Sequence, residues 1–249
     1  MVKEKHPGAV RRLFDTLLHA YGPRHWWPAR TVPEMMVGAM LVQNTTWTGA
    51  SQAVARLEEA GLLDSWSKLL QTPDETLGAL IRPAGYFRVK TRRLKALAGF
   101  MAGFDHDHTR LFQQETPPLR AALLGVHGVG KETADSILCY AAQRPIFVVD
   151  AYTRRIFSRL GWCDDQAGYD DLQRLVMSAL PPDPHILGEM HALLVEHAKT
   201  YCRAQPRCAG CPVGPCLTIG LHNTPATSEE THTMRPCSTT HPTRQRNLA

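Results

Sequence analysis

The chain has 249 residues, a formal net charge of +5 and an isoelectric point near 8.9, so it can bury one large core or two modest ones and leans only slightly toward a polyanionic partner. No apolar run reaches the roughly 18 residues that a membrane-spanning helix needs. The N-terminal MVKEKHPGAVRR is charged, with no apolar h-region behind it, so the expectation is a cytoplasmic protein in which disulfides are rare.

Along the chain, apolar residues recur at three and four rather than at two, which predicts an all-α fold. The first distinctive segment is His25-Trp26-Trp27-Pro28. A helical stripe follows at Met36, Val37, Met40 and Leu41, and it runs into Gln43-Asn44-Thr45-Thr46-Trp47. Three of the five tryptophans, Trp26, Trp27 and Trp47, fall in these two short segments, where they either pack in a core or line a pocket for a planar ring. Leu57, Leu62 and Leu63 surround a helix end at Gly61, and Gly85-Tyr86-Phe87-Arg88 forms a loop before a helix carrying Leu94, Leu97 and Ala98. That helix bears the basic group Lys90, Arg92, Arg93 and Lys95; a second group, Arg154, Arg155 and Arg159, lies on a later helix. Each reads equally as a solvated face or as phosphate contacts.

The stretch Leu123-Leu124-Gly125-Val126-His127-Gly128-Val129-Gly130-Lys131-Glu132-Thr133-Ala134-Asp135 predicts a helical hairpin. Gly128 and Gly130 permit a tight turn with positive φ, and a helix from Lys131 to Ala142 puts Ala134, Ile137, Leu138 and Ala141 on one face. The amides at its start, with the helix dipole, suit a phosphate. After Pro145, Ile146-Phe147-Val148-Val149 is the one extended candidate and is too isolated to build a sheet. Asp150 then stands at the N-cap of a helix over 151–160, accepting from the amide of Thr153; capping alone accounts for an Asp in such a place.

Near the C-terminus, Cys202, Cys208, Cys211 and Cys216 stand as C-x5-C-x2-C-x4-C, a spacing that predicts a metal cage of four thiolates. A 4Fe-4S cluster and a tetrahedral zinc both suit it, and spacing does not choose between them. Seven cysteines is an odd number, and Cys139, Cys163 and Cys237 follow no regular spacing, which argues against paired disulfides. From about Leu221 the composition turns to Thr, Ser, Pro, His and Arg, and a disordered tail is expected over 221–249.

Taken together, the hairpin L-x-V-x-G-V-G-x-x-T-A-D, the segment V-V-D-A-Y-T-R-R-I and Pro206-Arg207-Cys208-Ala209-Gly210-Cys211 resemble the endonuclease III branch of the helix-hairpin-helix DNA glycosylases, over about residues 34–219. The resemblance implies a six-helix barrel domain over 34–143, a 4Fe-4S cluster domain from 1–33 and 144–220, and double-stranded DNA with a damaged base bound by a monomer in the cleft between them. Both outer intercysteine loops are one residue shorter than the family's common spacing. Asp150 matches the family's catalytic aspartate. Glu132 stands where strand-cleaving members carry the lysine that forms a Schiff base, and a carboxylate cannot form one. This implies a monofunctional enzyme; a bifunctional glycosylase and AP lyase using another amine, and a non-catalytic damaged-DNA-binding module, are the alternatives. The Trp-Trp-Pro run and Leu41-Val42-Gln43-Asn44-Thr45 resemble the 3-methyladenine glycosylase branch, which implies an alkylated purine held by Trp26, Trp27, Trp47 and Glu132. In the same reading Gln43 and Tyr86 enter the gap left by a flipped nucleotide, while Gly128, Val129, Gly130 and Lys131 hold phosphate.

Overall fold

The computed structural model describes residues 7–164 and 166–214. The predicted tail over 221–249 and Cys216 lie outside the described residues. Helices follow one another in order: α1 (Pro7–Tyr21), α2 (Val32–Leu41), α3 (Trp47–Glu59), α4 (Trp66–Gln71), α5 (Asp74–Leu80) and α6 (Phe87–Ala102). Next come α7 (His108–Phe112), α8 (Thr116–Leu124), α9 (Lys131–Ser136), α10 (Ala151–Arg159), α11 (Tyr169–Met177) and α12 (Pro184–Thr200). Among the described residues no strand is formed, and 146–149 is a plain extended link. No described helix is long and apolar enough to cross a membrane.

Two apolar cores divide the molecule into two helical subdomains. One core gathers buried residues from Met35 to Leu138; the other joins Ala9 to Leu17 of α1 with residues from Phe147 to Val213. Helix α2 is buried on every side from Met35 to Leu41, as a helix apolar all round must be. Its start is set by Thr31, whose hydroxyl accepts from the Glu34 amide at 3.2 Å.

Of the two basic groups Arg92 stays exposed, while most of the others turn to partners within the fold. The Lys90 ammonium is buried and donates at 2.7 Å to the carbonyls of Leu41 and Ala84, closing the end of α2, and burial lowers its pKa to about 8. Lys95 donates to the carbonyls of Leu70 and Thr72 at the end of α4. On α10, Arg155 reaches the Cys202 carbonyl at 2.7 Å, and Arg159 reaches those of Arg203 and Ala204 at 2.6 and 2.9 Å. These cations are spent on internal carbonyls at helix ends, where partial negative charge collects.

The subdomains are also locked through a buried carboxylate. Asp135 of α9 has no exposed surface and takes both guanidinium nitrogens of Arg120 from α8, at 2.6 and 2.9 Å. Gln173 of α11 donates to the same carboxylate at 2.8 Å and to the Phe147 carbonyl at 2.7 Å. One side chain in the hairpin motif thus ties α8, α9, α11 and the 146–149 link together.

Candidate active site in the interdomain cleft

A cavity of about 370 Å³ lies between the two subdomains. Its walls come from distant parts of the chain: Trp26 and Trp27 on the link from α1 to α2, Gln43 and Trp47 beyond α2, Glu132 on α9, and Asp150 at the start of α10. Helix α12 closes it with His191, Val195 and Lys199.

The indoles form one aromatic group, with ring centroids 4.8 Å apart for Trp26 and Trp47, 5.3 Å for Trp27 and Trp47, and 5.4 Å for Trp26 and Trp27. Such tilted and edge-on packing is the favoured arrangement of aromatic pairs. The link that carries them is held against α12, where Glu189 accepts from the Arg24 amide at 2.5 Å and Glu196 pairs with the Arg24 guanidinium at 3.2 Å.

Asp150 is the N-cap of α10, accepting at Oδ1 from the Thr153 amide at 2.7 Å and the Thr153 hydroxyl at 2.9 Å. Its Oδ2 faces His191 Nε2 at 3.4 Å. Burial works to raise its pKa, but the bond and charge of His191 together with the two Thr153 bonds outweigh it, so the carboxyl titrates below its usual range. Glu132 behaves oppositely. Its side chain is open to the cleft, yet the surrounding walls strip enough water to raise its pKa, and the charge of Asp150 pushes the same way. One cavity therefore holds two carboxyls whose surroundings drive their pKa values apart.

The hairpin between α8 and α9 differs in detail from its predicted form. Gly128 alone takes positive φ, at +88°, and a Cβ there would run into the Arg93 side chain; Gly130 is extended, with φ −94°. Val129 is buried and anchors the turn in the first core. Lys131 is exposed but paired with Asp170 at 2.6 Å. Gln43 donates to the Gly128 carbonyl at 3.0 Å and to Thr133 Oγ1 at 2.8 Å, and Arg93 donates to its Oε1, so its amide braces the hairpin. Tyr86 stands apart from the cavity at the head of α6, 72% exposed and with φ +45°.

The predicted metal cage is corrected by the structure. Among the described residues no group of three or more His, Cys, Asp or Glu side chains could hold a metal ion, which overturns the expected 4Fe-4S cluster and the cluster domain with it. Cys202 is buried at the end of α12 with its Sγ 3.2 Å from the Arg159 guanidinium, Cys208 is exposed, and Cys211 Sγ lies 3.8 Å from His197 Nε2. Burial raises the Cys211 thiol pKa, and the nearby Cys208 and Cys202 push the same way. The fourth expected ligand, Cys216, lies outside the described residues. The three described thiols are free, and among the described residues they do not form the group that the spacing predicted.

Sequence reasoning missed His191, Lys199 and Tyr140. The helix predicted from Lys131 to Ala142 passes after Ser136 into a π-helical turn, Ile137–Ala141, which carries Tyr140 beside the cavity; its ring lies 5.6 Å from that of Trp27. Gly188 was the available signal, being a glycine inside a helix: a Cβ there would come within 2.9 Å of the Tyr140 ring.

The family model described as "HhH-GPD superfamily base excision DNA repair protein" matches residues 37–182. A Methanocaldococcus jannaschii protein that bears the provisional name of DNA repair glycosylase is 43% identical over 215 residues, covering 85% of this chain and 97% of its own. Endonuclease III of Sulfolobus acidocaldarius is 26% identical over 195 residues, covering 78% and 85%. Among solved structures, Helicobacter pylori 3-methyladenine DNA glycosylase bound to 1,N6-ethenoadenine is 27% identical with a TM-score of 0.65, covering 78% of this chain and 95% of that one. A non-covalent endonuclease III–DNA complex, 21% identical with a TM-score of 0.72 and coverage of 84% and 93%, shares the fold. The matched span and the extent of these likenesses show that the chain belongs to the HhH-GPD superfamily of base excision DNA repair proteins, and that it is a DNA glycosylase of that superfamily.

Proposed function

We propose that the cleft receives a damaged base flipped out of duplex DNA and removes it by hydrolysis, with alkylated purines the favoured class. The observation that carries the reading is Glu132, a carboxyl in the cavity wall at the place where strand-cleaving relatives use an amine. In the reaction the N-glycosidic bond breaks with its electron pair leaving on the base, positive charge develops at the sugar, and water adds to C1′. Asp150, ionised and fixed by Thr153 and His191, faces that charge. Because both its oxygens are engaged and its pKa is low, Asp150 is a poor proton acceptor; Glu132, with its raised pKa, takes the proton from the water. The indoles of Trp26, Trp27 and Trp47 stack on the base, and an alkylated purine suits them because it is cationic and leaves without prior protonation.

On the DNA side, Tyr86 fills the gap left by the flipped nucleotide, its exposure and loop-tip position favouring that role. The hairpin from Gly128 to Lys131 holds phosphate, and Gln43 acts on the duplex through the hairpin that it braces. We place the domain limits at 34–143 and at 1–33 with 144–220, a division supported over the described residues by the two apolar cores, the second of which includes α1.

A second reading is the bifunctional one, favoured by the endonuclease III names among the relatives and by one feature of the cavity. Lys199 lies in its wall and is the amine that could serve as a Schiff-base nucleophile. Borohydride trapping on an abasic duplex decides between them. Hydrolysis predicts base release with no covalent adduct; an adduct that disappears in Lys199→Ala would establish the bifunctional reading instead.

A further inference from the structure

Asp150 does not stand alone against the cavity. His191 is buried on α12, with Nε2 3.4 Å from Asp150 Oδ2 and Nδ1 2.6 Å from Tyr140 Oη, which in turn reaches the Gly188 carbonyl at 3.2 Å. A phenol has one proton to donate. If Tyr140 gives it to the Gly188 carbonyl, then His191 Nδ1 donates to Tyr140 and a neutral ring presents a bare Nε2 to Asp150. If Tyr140 gives it to Nδ1, the only proton of the neutral ring is on Nε2, aimed at Asp150. The 2.6 Å contact with Nδ1 is the shorter of the two that Tyr140 makes, and the geometry favours the second arrangement, in which Tyr140 sets the tautomer. Burial holds the Tyr140 phenol well above its ordinary pKa, so it stays protonated and keeps this function across the working range. The same Tyr140 ring packs on Trp27, so one residue touches both the indole wall and the group that orients the carboxylate.

We propose that His191, with its tautomer set by Tyr140, is a positioning residue that holds Asp150 ionised and aimed at the sugar, and that Tyr140 links this orientation to the packing of Trp27 against the base. The proposal rests on the reading of Asp150 as the group that faces the developing charge. The other titratable and charged groups around the pair include Glu132 of α9, Cys139 of the π-helical turn, Tyr152 and Arg154 of α10, and Glu189 and Lys199 of α12. On the side of α1, Tyr21 engages His197 at 2.9 Å and leaves His191 to Asp150 and Tyr140.

The test has two independent arms on the full chain. In the first, long-range ¹⁵N–¹H spectra of histidine-labelled protein show which ring nitrogen of His191 is protonated, with the assignment made from His191→Gln. We expect Nε2–H in the wild type, and a displaced Nε2 resonance in Asp150→Asn. In the second arm, base release from DNA treated with a methylating agent is measured under single-turnover conditions. His191→Leu should slow release by about 10-fold or more with duplex affinity unchanged, while His191→Gln, which keeps a donor, should recover part of the rate. Adding His191→Leu to Asp150→Asn should slow release by less than about twofold further, since both changes act through one carboxylate. Loss of His191 leaves the burial of Asp150 less opposed, so the acid limb of the rate profile should move to higher pH. A protonated Nδ1 with bare Nε2, an Nε2 resonance indifferent to Asp150→Asn, or fully additive losses would overturn the proposal. If the wild type releases no base, the functional reading falls by itself, and the spectra still decide whether His191 addresses Asp150.

Discussion

The cleft and the C-terminal cysteine segment make an instructive pair. Cys202, Cys208 and Cys211 are close in sequence, yet each is turned to a different surrounding: a guanidinium in the core, solvent, and a buried histidine. Trp26, Trp47, Glu132, Asp150 and His191 are scattered over 166 positions and converge on one cavity. The difference teaches that spacing brings side chains within reach of each other but does not direct them to a common point. Direction comes from what each neighbouring helix offers. In the cleft Thr153, His191 and Tyr140 fix Asp150 through a run of polar contacts, and in the cysteine segment Arg159 and His197 engage Cys202 and Cys211.

The comparison is tested most severely at Asp135, because the cleft depends on a lock that the cysteine segment lacks. Asp135→Ala removes the nearer carboxylate of Arg120, leaving it only Asp170 at 3.8 Å, and should cost about 3 kcal/mol of stability in denaturant unfolding, as expected when one partner of a buried pair is removed. A cost within about 0.5 kcal/mol would mean that the subdomains are held together elsewhere.

Asp150→Asn comes next. It should slow base release by a factor on the order of 100 while leaving duplex binding nearly unchanged, the scale of one well-placed electrostatic group. Single-turnover rates and gel-shift affinities measure the two separately, and equal losses in both would reduce Asp150 to a helix cap.

Glu132→Gln sharpens the contrast between the two carboxyls through pH. A carboxyl with a raised folded pKa binds its proton more tightly in the folded state, so its ionisation destabilises the fold as pH rises through the window between the unfolded and folded values. Glu132→Gln should therefore melt slightly higher than the wild type at neutral pH, with the gap closing below the ordinary carboxylate range. Asp150 has the opposite sign: its contribution to stability is present above the unfolded pKa and lost as pH falls through the lowered folded one. Thermal unfolding of the wild type, Glu132→Gln and Asp150→Asn across acid to neutral pH checks both signs.

Smaller effects are expected at the periphery. Lys131→Ala should lower the salt slope of duplex binding by about one, if the ammonium leaves Asp170 for a phosphate. Smallest of all should be Cys208→Ser: an exposed, free thiol should cost no more than about 0.5 kcal/mol. A large loss of stability there would restore a common role to the cysteines and break the comparison.

Features legible along the chain are local ones. The period of apolar residues produced the helices, because burying one face of a helix requires that spacing whatever lies opposite. Glycine at 128 announced a turn with positive φ, and Asp150 announced a helix start, since both answer to backbone geometry within a few residues. Packing between distant segments set the rest. The π-helical turn that presents Tyr140, the pairing of His191 with Asp150, and the capture of Lys90, Lys95, Arg155 and Arg159 by carbonyls all depend on partners from other helices. The fate of the cysteines belongs with these. A thiol's environment is set by the helices packed around it, and no interval between cysteines encodes the positions of Arg159 and His197.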